Sequence, residues 1–249
     1  MGALSWKVMV AKSIAQRFIR KLLAWYARAA RDLPWRKTRD PYRVAVSEFM
    51  LQQTQVARVL EFYPRFLKRF PTLEKLARAR PKAVREAWDG LGYYARASNL
   101  HALARQVARR HDGTLPATPQ ELEKLPGVGP YTAGAIASFS FEKAVPAVDT
   151  NVARVIRRVF LGQRVTGNVQ RVWRLASMLV PKDGKRAWRF NQALMELGAL
   201  ICVARKPRCG ECPVQPHCKT GRRLVKTLRR SASWRLFERR PRNQRNNPQ

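Results

Sequence analysis

The sequence is short of acidic residues, with 16 Asp and Glu against 50 Lys and Arg and a formal net charge of +34. A surface with this excess of positive charge repels itself, so the need for solubility alone does not explain it. Nucleic acid is the first polyanion to consider as its partner. The composition therefore predicts a nucleic-acid-binding protein, with an anionic membrane surface as the alternative.

Long apolar runs and strand-like alternation are also missing. The chain contains no run of about 18 apolar residues and no cleavable signal pattern, so we expect no membrane span and a cytoplasmic, nucleoid-associated location. Apolar residues instead recur every three or four positions, which is typical of helices. The longest such segments are 18–30, 47–70 and 84–111. Gly90 and Gly92 should divide the last of these into two helices, and we predict an all-α fold.

Cysteine is absent from the first 201 residues, and all four cysteines lie between positions 202 and 218. A disulfide framework would be spread along a secreted chain, so this grouping indicates a metal site. Zinc sites usually contain two C-x2-C pairs. The spacing here, C-x6-C-x2-C-x5-C, contains only one such pair. It favours an iron–sulfur cluster, with zinc as the alternative, and the ligands would be Cys202, Cys209, Cys212 and Cys218.

A glycine-rich turn lies near the middle of the chain, in the sequence GVGPYTAGA at positions 127–135. Gly127 and Gly129 allow the backbone to approach a ligand closely, and Pro130 suits the first position of the next helix. The free N–H groups at that helix start form an anion site. The sequence predicts a helix–hairpin–helix that holds a DNA phosphate, with a plain helix–helix turn as the alternative.

Two carboxylates occupy contrasting positions. Glu48 lies in an apolar helical segment, where burial should raise its pKa toward that of a general acid. Asp149 directly precedes a helical pattern, where the helix N-terminus favours an anion. One neutral and one ionised carboxyl are what cleavage of a glycosidic bond requires. The alternatives are an ordinary half-exposed glutamate and a simple N-cap aspartate.

Seven motifs occur in an order that resembles the helix–hairpin–helix DNA glycosylases, and the chain is most similar to the adenine DNA glycosylases. They cover about residues 18–218 and include SEFMLQQTQV, GLGYYARASNL, LPGVGPYTAGA and AVDTNVARV. The resemblance implies a 4Fe–4S cluster. It also implies that Glu48 protonates the adenine, that Asp149 stabilises the oxocarbenium ion and that Asn151 positions Asp149. Tyr131 replaces the lysine with which bifunctional relatives form a Schiff base, so strand cleavage should be weak or absent.

The resemblance also assigns residues that bind the DNA. Gln53 and Tyr94 resemble side chains inserted into the base stack, and Trp35, Arg36 and Gln192 resemble the adenine pocket. Core packing is the alternative for Trp35 and Tyr94. The expected partner is double-stranded DNA that contains a mismatch, bound by a monomer.

The same resemblance implies two lobes. Residues 1–35 and 149–218 would form an iron–sulfur lobe, and residues 36–148 a helical barrel lobe with the hairpin at about 119–138. Residues 219–249 should be a basic, mostly disordered tail. Full-length adenine glycosylases usually continue with a domain that reads 8-oxoguanine, and the chain ends 31 residues after Cys218, so we expect that domain to be missing.

Three functions therefore remain open. The first is hydrolysis of the N-glycosidic bond of adenine opposite 8-oxoguanine or guanine. The second is removal of thymine or uracil opposite guanine, which short relatives without the extra domain perform. The third is DNA binding without catalysis.

Overall fold

The computed structural model describes residues 3–162 and 169–230 of the chain. These residues form helices, turns and loops and contain no strand, so the predicted all-α fold is confirmed. No helix among them is long and apolar enough to cross a membrane. In chain order the α-helices are α1 Ala3–Ala29, α2 Pro41–Leu51, α3 Val56–Arg69, α4 Leu73–Ala77, α5 Pro81–Ala87, α6 Ala95–Arg110, α7 Pro119–Leu122, α8 Pro130–Phe141, α9 Thr150–Ile156, α10 Val169–Leu179, α11 Gly184–Leu200 and α12 Lys219–Arg230.

The chain divides into two compact units. The cysteine unit comprises Met1–Arg28, Thr150–Leu175 and Leu194–Gln249, and the hairpin unit comprises Ala29–Asp149 and Ala176–Ala193. This division differs from the predicted lobes, since residues 29–35 and 176–193 belong with the hairpin. The amide of Asn191 donates to Ser138 Oγ and to the Val145 carbonyl, at 2.9 Å each. These buried hydrogen bonds tie the segment to the hairpin unit.

Helix α2 is the central element of the hairpin unit. Asp40 caps its N-terminus by accepting hydrogen bonds from the N–H groups of Tyr42 and Arg43, and Pro41 occupies the first helical position. Every residue from Tyr42 to Met50 except Arg43 is buried. A helix that is apolar on nearly all sides belongs in the core. A carboxylate on such a helix is therefore surrounded by protein.

The predicted continuous helix over residues 47–70 is wrong, because α2 ends at Leu51 and α3 begins at Val56. Gln53 has a φ of 57°, a left-handed conformation that cannot continue an α-helix. The predicted break within 84–111 is confirmed. Gly90 and Gly92 have φ values of 89° and 73° and lie between α5 and α6.

Helix α8 begins as predicted, with Gly129 at the N-cap and Pro130 at the first helical position. It packs against α2 and also approaches the loop that leads to α9. A Cβ atom on Gly134 would lie 2.2 Å from the Pro146 carbonyl oxygen. Glycine at this position thus lets the 145–148 loop cross α8 in contact with its backbone.

The predicted disordered tail is wrong for residues 219–230, which form α12. The helix follows Cys218 directly, and Thr220 and Gly221 at its start are buried while Leu224 and Val225 are half-buried. These few apolar contacts suffice because the first turn is also hydrogen-bonded to Cys218. The rest of the predicted tail, residues 231–249, lies outside the described residues.

Candidate active site

A buried carboxyl and a phenol form the centre of the site. Glu48 on α2 is 4% exposed, and the hydroxyl of Tyr131 on α8 donates to its Oε2 atom at 2.7 Å. Tyr131 is the second residue of α8, so the glycine hairpin fixes where its side chain begins. The packing of α8 against α2 then brings the phenol to the carboxyl.

The pKa of Glu48 is raised from 4.5 to about 7, chiefly by burial and also by the charge of Asp149. The hydrogen bond from Tyr131 and the charge of Arg36 act in the opposite direction. Desolvation is the largest of these effects, as expected for an anion removed from water. The predicted rise in the pKa of Glu48 is confirmed, and this carboxyl can hold or release a proton near neutral pH.

Asp149 ends the first segment of the hairpin unit, and α9 begins at Thr150, directly after it, as predicted. Its side chain is half-buried and close enough to Glu48 and Tyr131 to raise both of their pKa values. The loop before Asp149 is anchored by a side-chain hydrogen bond, in which Asn191 Oδ1 accepts from the Ala147 N–H at 3.3 Å. The structure therefore brings the two predicted carboxylates to the same place.

Of the residues predicted to form the base pocket, Arg36 lies near this pair and also contacts Gln192. The Arg36 Nε atom donates to Oε1 of Gln192 at 2.9 Å, and Gln192 is buried. Arg36 lies near enough to Glu48 to influence its pKa. Trp35 is 7% exposed, and its ring meets the edge of Tyr63 with centroids 5.5 Å apart. For Trp35 the core-packing alternative therefore also holds.

The hairpin turn contains one glycine that its conformation requires. Gly127 has a φ of 74°, and a Cβ atom there would lie 2.8 Å from Phe49 and 2.7 Å from Asn99. Gly129 has nothing within 4 Å of the Cβ position, so the space beside the N-terminus of α8 is open. An open helix start with free N–H groups is the geometry that binds a phosphate.

Two side chains beside the site project outward from left-handed backbone. Gln53, predicted to enter the base stack, is exposed, with a φ of 57°. Tyr93 is 60% exposed, with a φ of 49°. Tyr94, predicted instead, donates its hydroxyl to Asp89 at 2.5 Å. Its ring also lies 4.7 Å from the Arg85 guanidinium carbon, so Tyr94 is engaged within the protein.

The four cysteines of the cysteine unit line one pocket, together with apolar side chains of α9 and α11. Burial raises the pKa of Cys209, Cys212 and Cys218, that of Cys212 to about 12, and each thiol is raised further by its neighbours. Four cysteine side chains that line one pocket are the ligand set of a thiolate-bound inorganic cluster.

Two further donors point at these sulfurs. Arg158 Nη1 lies 3.4 Å from Cys202 Sγ, and the Gly221 N–H donates to Cys218 Sγ at 3.1 Å. Asn151, predicted to position Asp149, belongs to the cysteine unit, where its Oδ1 accepts from Arg154 Nη2 at 2.8 Å. Its role toward Asp149 stays a prediction.

Comparison with known proteins identifies the family. Residues 46–177 match the family described as HhH-GPD superfamily base excision DNA repair protein. The chain belongs to this superfamily. Residues 202–218 match the iron–sulfur binding domain of endonuclease III. Cys202, Cys209, Cys212 and Cys218 accordingly bind a 4Fe–4S cluster, and the predicted cofactor is confirmed.

The chain is similar to adenine DNA glycosylases of several organisms. The chain is 46% identical to that of Rattus norvegicus over 83% of its own length and 42% of the relative. It is 44% identical to that of Mycolicibacterium smegmatis over 80% of its own length and 68% of the relative. The chain thus spans about two-fifths to two-thirds of the curated relatives that it matches.

Solved structures give the same fold. A thermostable thymine-DNA glycosylase has a TM-score of 0.79 and 31% identity, covering 86% of this chain and 99% of its own. Endonuclease III in a trapped covalent complex with DNA has a TM-score of 0.71 and 24% identity, covering 83% and 95%. At 24% identity, the likeness to endonuclease III shows the fold alone.

Proposed function

We propose that the protein is a monofunctional DNA glycosylase of base excision repair that hydrolyses the N-glycosidic bond of adenine opposite 8-oxoguanine or guanine. The observation that carries this proposal is the buried Glu48 carboxyl, whose pKa is about 7 and which accepts a hydrogen bond from Tyr131. Its adenine DNA glycosylase relatives support the choice of base.

Glu48 is the general acid. A carboxyl with a pKa near the working pH is substantially protonated and still gives up its proton readily. Proton transfer to N7 of the extruded adenine weakens the bond between the base and the sugar. The carboxylate that remains is stabilised by the Tyr131 hydroxyl, which already lies 2.7 Å from Oε2.

Asp149 is the anion that stabilises the sugar cation. As the base leaves, positive charge develops on the deoxyribose, and a carboxylate beside it lowers the energy of that state. Its half-exposed position allows contact with a bound nucleotide. Water completes the hydrolysis, and Asn151 helps to orient the aspartate.

Tyr131 makes the enzyme monofunctional. A lysine amine could attack the sugar carbon and form an imine, which leads to strand cleavage. A phenol cannot form an imine. Burial raises the pKa of Tyr131 well above its usual value, so its hydroxyl stays protonated and acts as a hydrogen-bond donor.

DNA is held by its backbone and opened by two side chains. The hairpin at Gly127 and Gly129 and the start of α8 bind a phosphate of the damaged strand. Gln53 and Tyr93 fill the space that the extruded base leaves. We assign this role to Tyr93 rather than Tyr94 because only Tyr93 exposes most of its side chain. Arg36, Gln192 and Trp35 border the pocket that receives the adenine. The protein acts as a monomer on mismatched duplex DNA.

Thymine removal is the second candidate, favoured by the likeness to a thymine-DNA glycosylase at 31% identity over nearly all of that chain. The test uses duplexes with A:8-oxoguanine, A:G, T:G or U:G pairs, each labelled on the strand to be cut. Incubation is followed by hot alkali, which breaks the strand at abasic sites. Cleavage only of the adenine strands supports the proposal, whereas cleavage of the T:G or U:G duplexes would replace it. Breaks before alkali treatment would contradict the monofunctional assignment.

A further inference from the structure

A buried arginine joins the two loops that flank the active site. Arg96 lies in the first turn of α6 and is 7% exposed. Its guanidinium donates to the carbonyls of Phe49, Met50 and Gln52 at the end of α2 and to those of Leu91, Gly92 and Tyr93 before α6. The measured distances include 2.7 Å to Met50 and 3.0 Å to Gly92. One side chain thus connects segments more than forty residues apart in the chain.

The first set of carbonyls belongs to the C-terminus of α2. The last carbonyls of a helix lack intrahelical donors and carry the negative end of its dipole. Arg96 supplies both the donors and the positive charge. Because Phe49 directly follows Glu48, the same hydrogen bonds hold the turn of α2 that carries the proposed acid.

The second set of carbonyls belongs to the loop that carries Tyr93. Trp88 supports this loop as well, since its Nε1 donates to the Gly92 carbonyl at 3.3 Å. The Arg96 guanidinium carbon lies 5.4 Å from the Tyr93 ring centroid and 5.6 Å from the Trp88 ring centroid. The Arg96 guanidinium therefore contacts this loop in two ways, through the backbone carbonyls of the loop and through the exposed ring of Tyr93.

Each of the two loops contains a residue whose backbone conformation is unfavourable unless surrounding contacts hold it. Gln53 and Tyr93 both have positive φ values, and left-handed backbone costs a residue with a side chain about 1–2 kcal/mol. Such conformations persist where surrounding contacts hold them, and they are found at functional sites. Here the contacts to both loops come from the same guanidinium.

We propose that Arg96 is a positioning residue for base extrusion, which holds the Gln53 and Tyr93 loops at a fixed separation so that both side chains enter the base stack together. This inference rests on the proposed function. Arg96 itself is buried beneath the two loops. Its planar fork of donors reaches both groups of carbonyls at once, and the single ammonium of a lysine does not.

The test compares Arg96→Lys with the wild type on two duplexes. In the first, adenine lies opposite 8-oxoguanine. In the second, adenine is a single-nucleotide bulge, whose extrusion needs no broken base pair. We expect single-turnover excision on the first duplex to fall about tenfold or more, because extrusion costs a few kcal/mol, and excision on the bulge to change much less. A neighbouring 2-aminopurine should lose its fluorescence rise on binding of the variant.

Equal losses on the two duplexes, an unchanged fluorescence rise or an unaffected rate would each overturn the proposal. Arg110→Lys is the matched control, since Arg110 is exposed on the same helix and should behave as the wild type. Visible absorbance of the cluster and thermal melting report whether Arg96→Lys folds.

A second measurement does not depend on that variant. Gln53→Ala and Tyr93→Ala, alone and combined, are assayed on the mismatched duplex. Joint insertion predicts that the double variant loses less than the sum of the single losses, whereas additive losses would contradict it. If the wild type removes thymine and leaves adenine, the proposed substrate is wrong. The same duplexes built with thymine then still test Arg96.

Discussion

At the scale of single residues, the site depends on the cost of burying one carboxyl. The pKa of Glu48 rises from 4.5 to about 7, so the folded protein holds this proton more tightly than the unfolded chain does. The stability that the proton contributes is complete below about pH 4.5 and is lost as the pH rises through 7. A group needed for proton transfer is therefore a source of instability at neutral and higher pH.

Glu48→Gln should abolish excision and stabilise the fold at high pH. The amide remains neutral at every pH and can still accept the hydrogen bond from Tyr131. We expect a rate loss of about a thousandfold, typical of a missing general acid, with DNA binding retained. The variant should be about 3 kcal/mol more stable than the wild type well above pH 7, and this advantage should fade as the pH falls toward 4.5. Urea unfolding at both pH values measures it, and a pH-independent difference would contradict the buried, titrating carboxyl.

Tyr131→Phe should shift the pH dependence of excision upward. The phenol hydrogen bond lowers the pKa of Glu48, so its removal leaves the carboxyl protonated to higher pH. Single-turnover rates should then decline at a higher pH than in the wild type, although the maximum rate falls because the conjugate base loses its donor. A pH profile that moves to lower pH would show that the hydrogen bond does not act on Glu48.

At the scale of elements, the sequence predicted those helices and helix starts that depend on local sequence patterns. The apolar periodicity of α2 and the Gly-Pro start of α8 were sufficient to place Glu48 and Tyr131 on helices. The break at Gln53 was not predictable from periodicity, because its left-handed backbone is held by Arg96, which is 43 positions further along the chain. Periodicity also does not distinguish Tyr93 from Tyr94, because the difference lies in the contacts of Tyr94 with Asp89 and Arg85.

The crossing of the 145–148 loop over α8 provides a test at this scale. Gly134→Ala places a methyl group 2.2 Å from the Pro146 carbonyl oxygen, and backbone on both sides leaves little room to relax. Overpacking of this kind costs about 1–3 kcal/mol, and the displaced loop should move Asp149 and reduce excision. Gly129→Ala is the control for stability, since nothing lies within 4 Å of its Cβ position. Equal melting temperatures for the two variants would contradict the close crossing.

At the scale of the whole molecule, the positive charge is unevenly distributed. The cysteine unit contains 26 Lys and Arg and only 3 Asp and Glu, against 24 and 13 in the hairpin unit. Of its acidic residues within the described part of the chain, Glu196 is buried and Glu211 lies 3.8 Å from Arg208. The proposed catalytic residues thus belong to the less basic unit, and this distribution predicts that long-range attraction to DNA comes chiefly from the other.

One group of cations shows how this attraction can be measured. Arg17, Arg20 and Lys21 of α1 and Arg222 of α12 are exposed and, together with burial, lower the pKa of His217, so they lie close together. Each phosphate contact contributes about 0.9 to the slope of log affinity against log salt concentration. Changing all four to Gln should therefore lower that slope by about 2 or more, equally for matched and mismatched duplexes.

The rate of base removal at saturating enzyme should stay unchanged in this variant, because none of the four cations is among the groups that shift the pKa of Glu48. The control carries four Gln substitutions at exposed cations of the hairpin unit, at positions 65, 68, 75 and 82. Both variants lose the same formal charge. If the two slopes fall equally, affinity follows net charge alone, and the concentration of charge in the cysteine unit has no part in binding DNA.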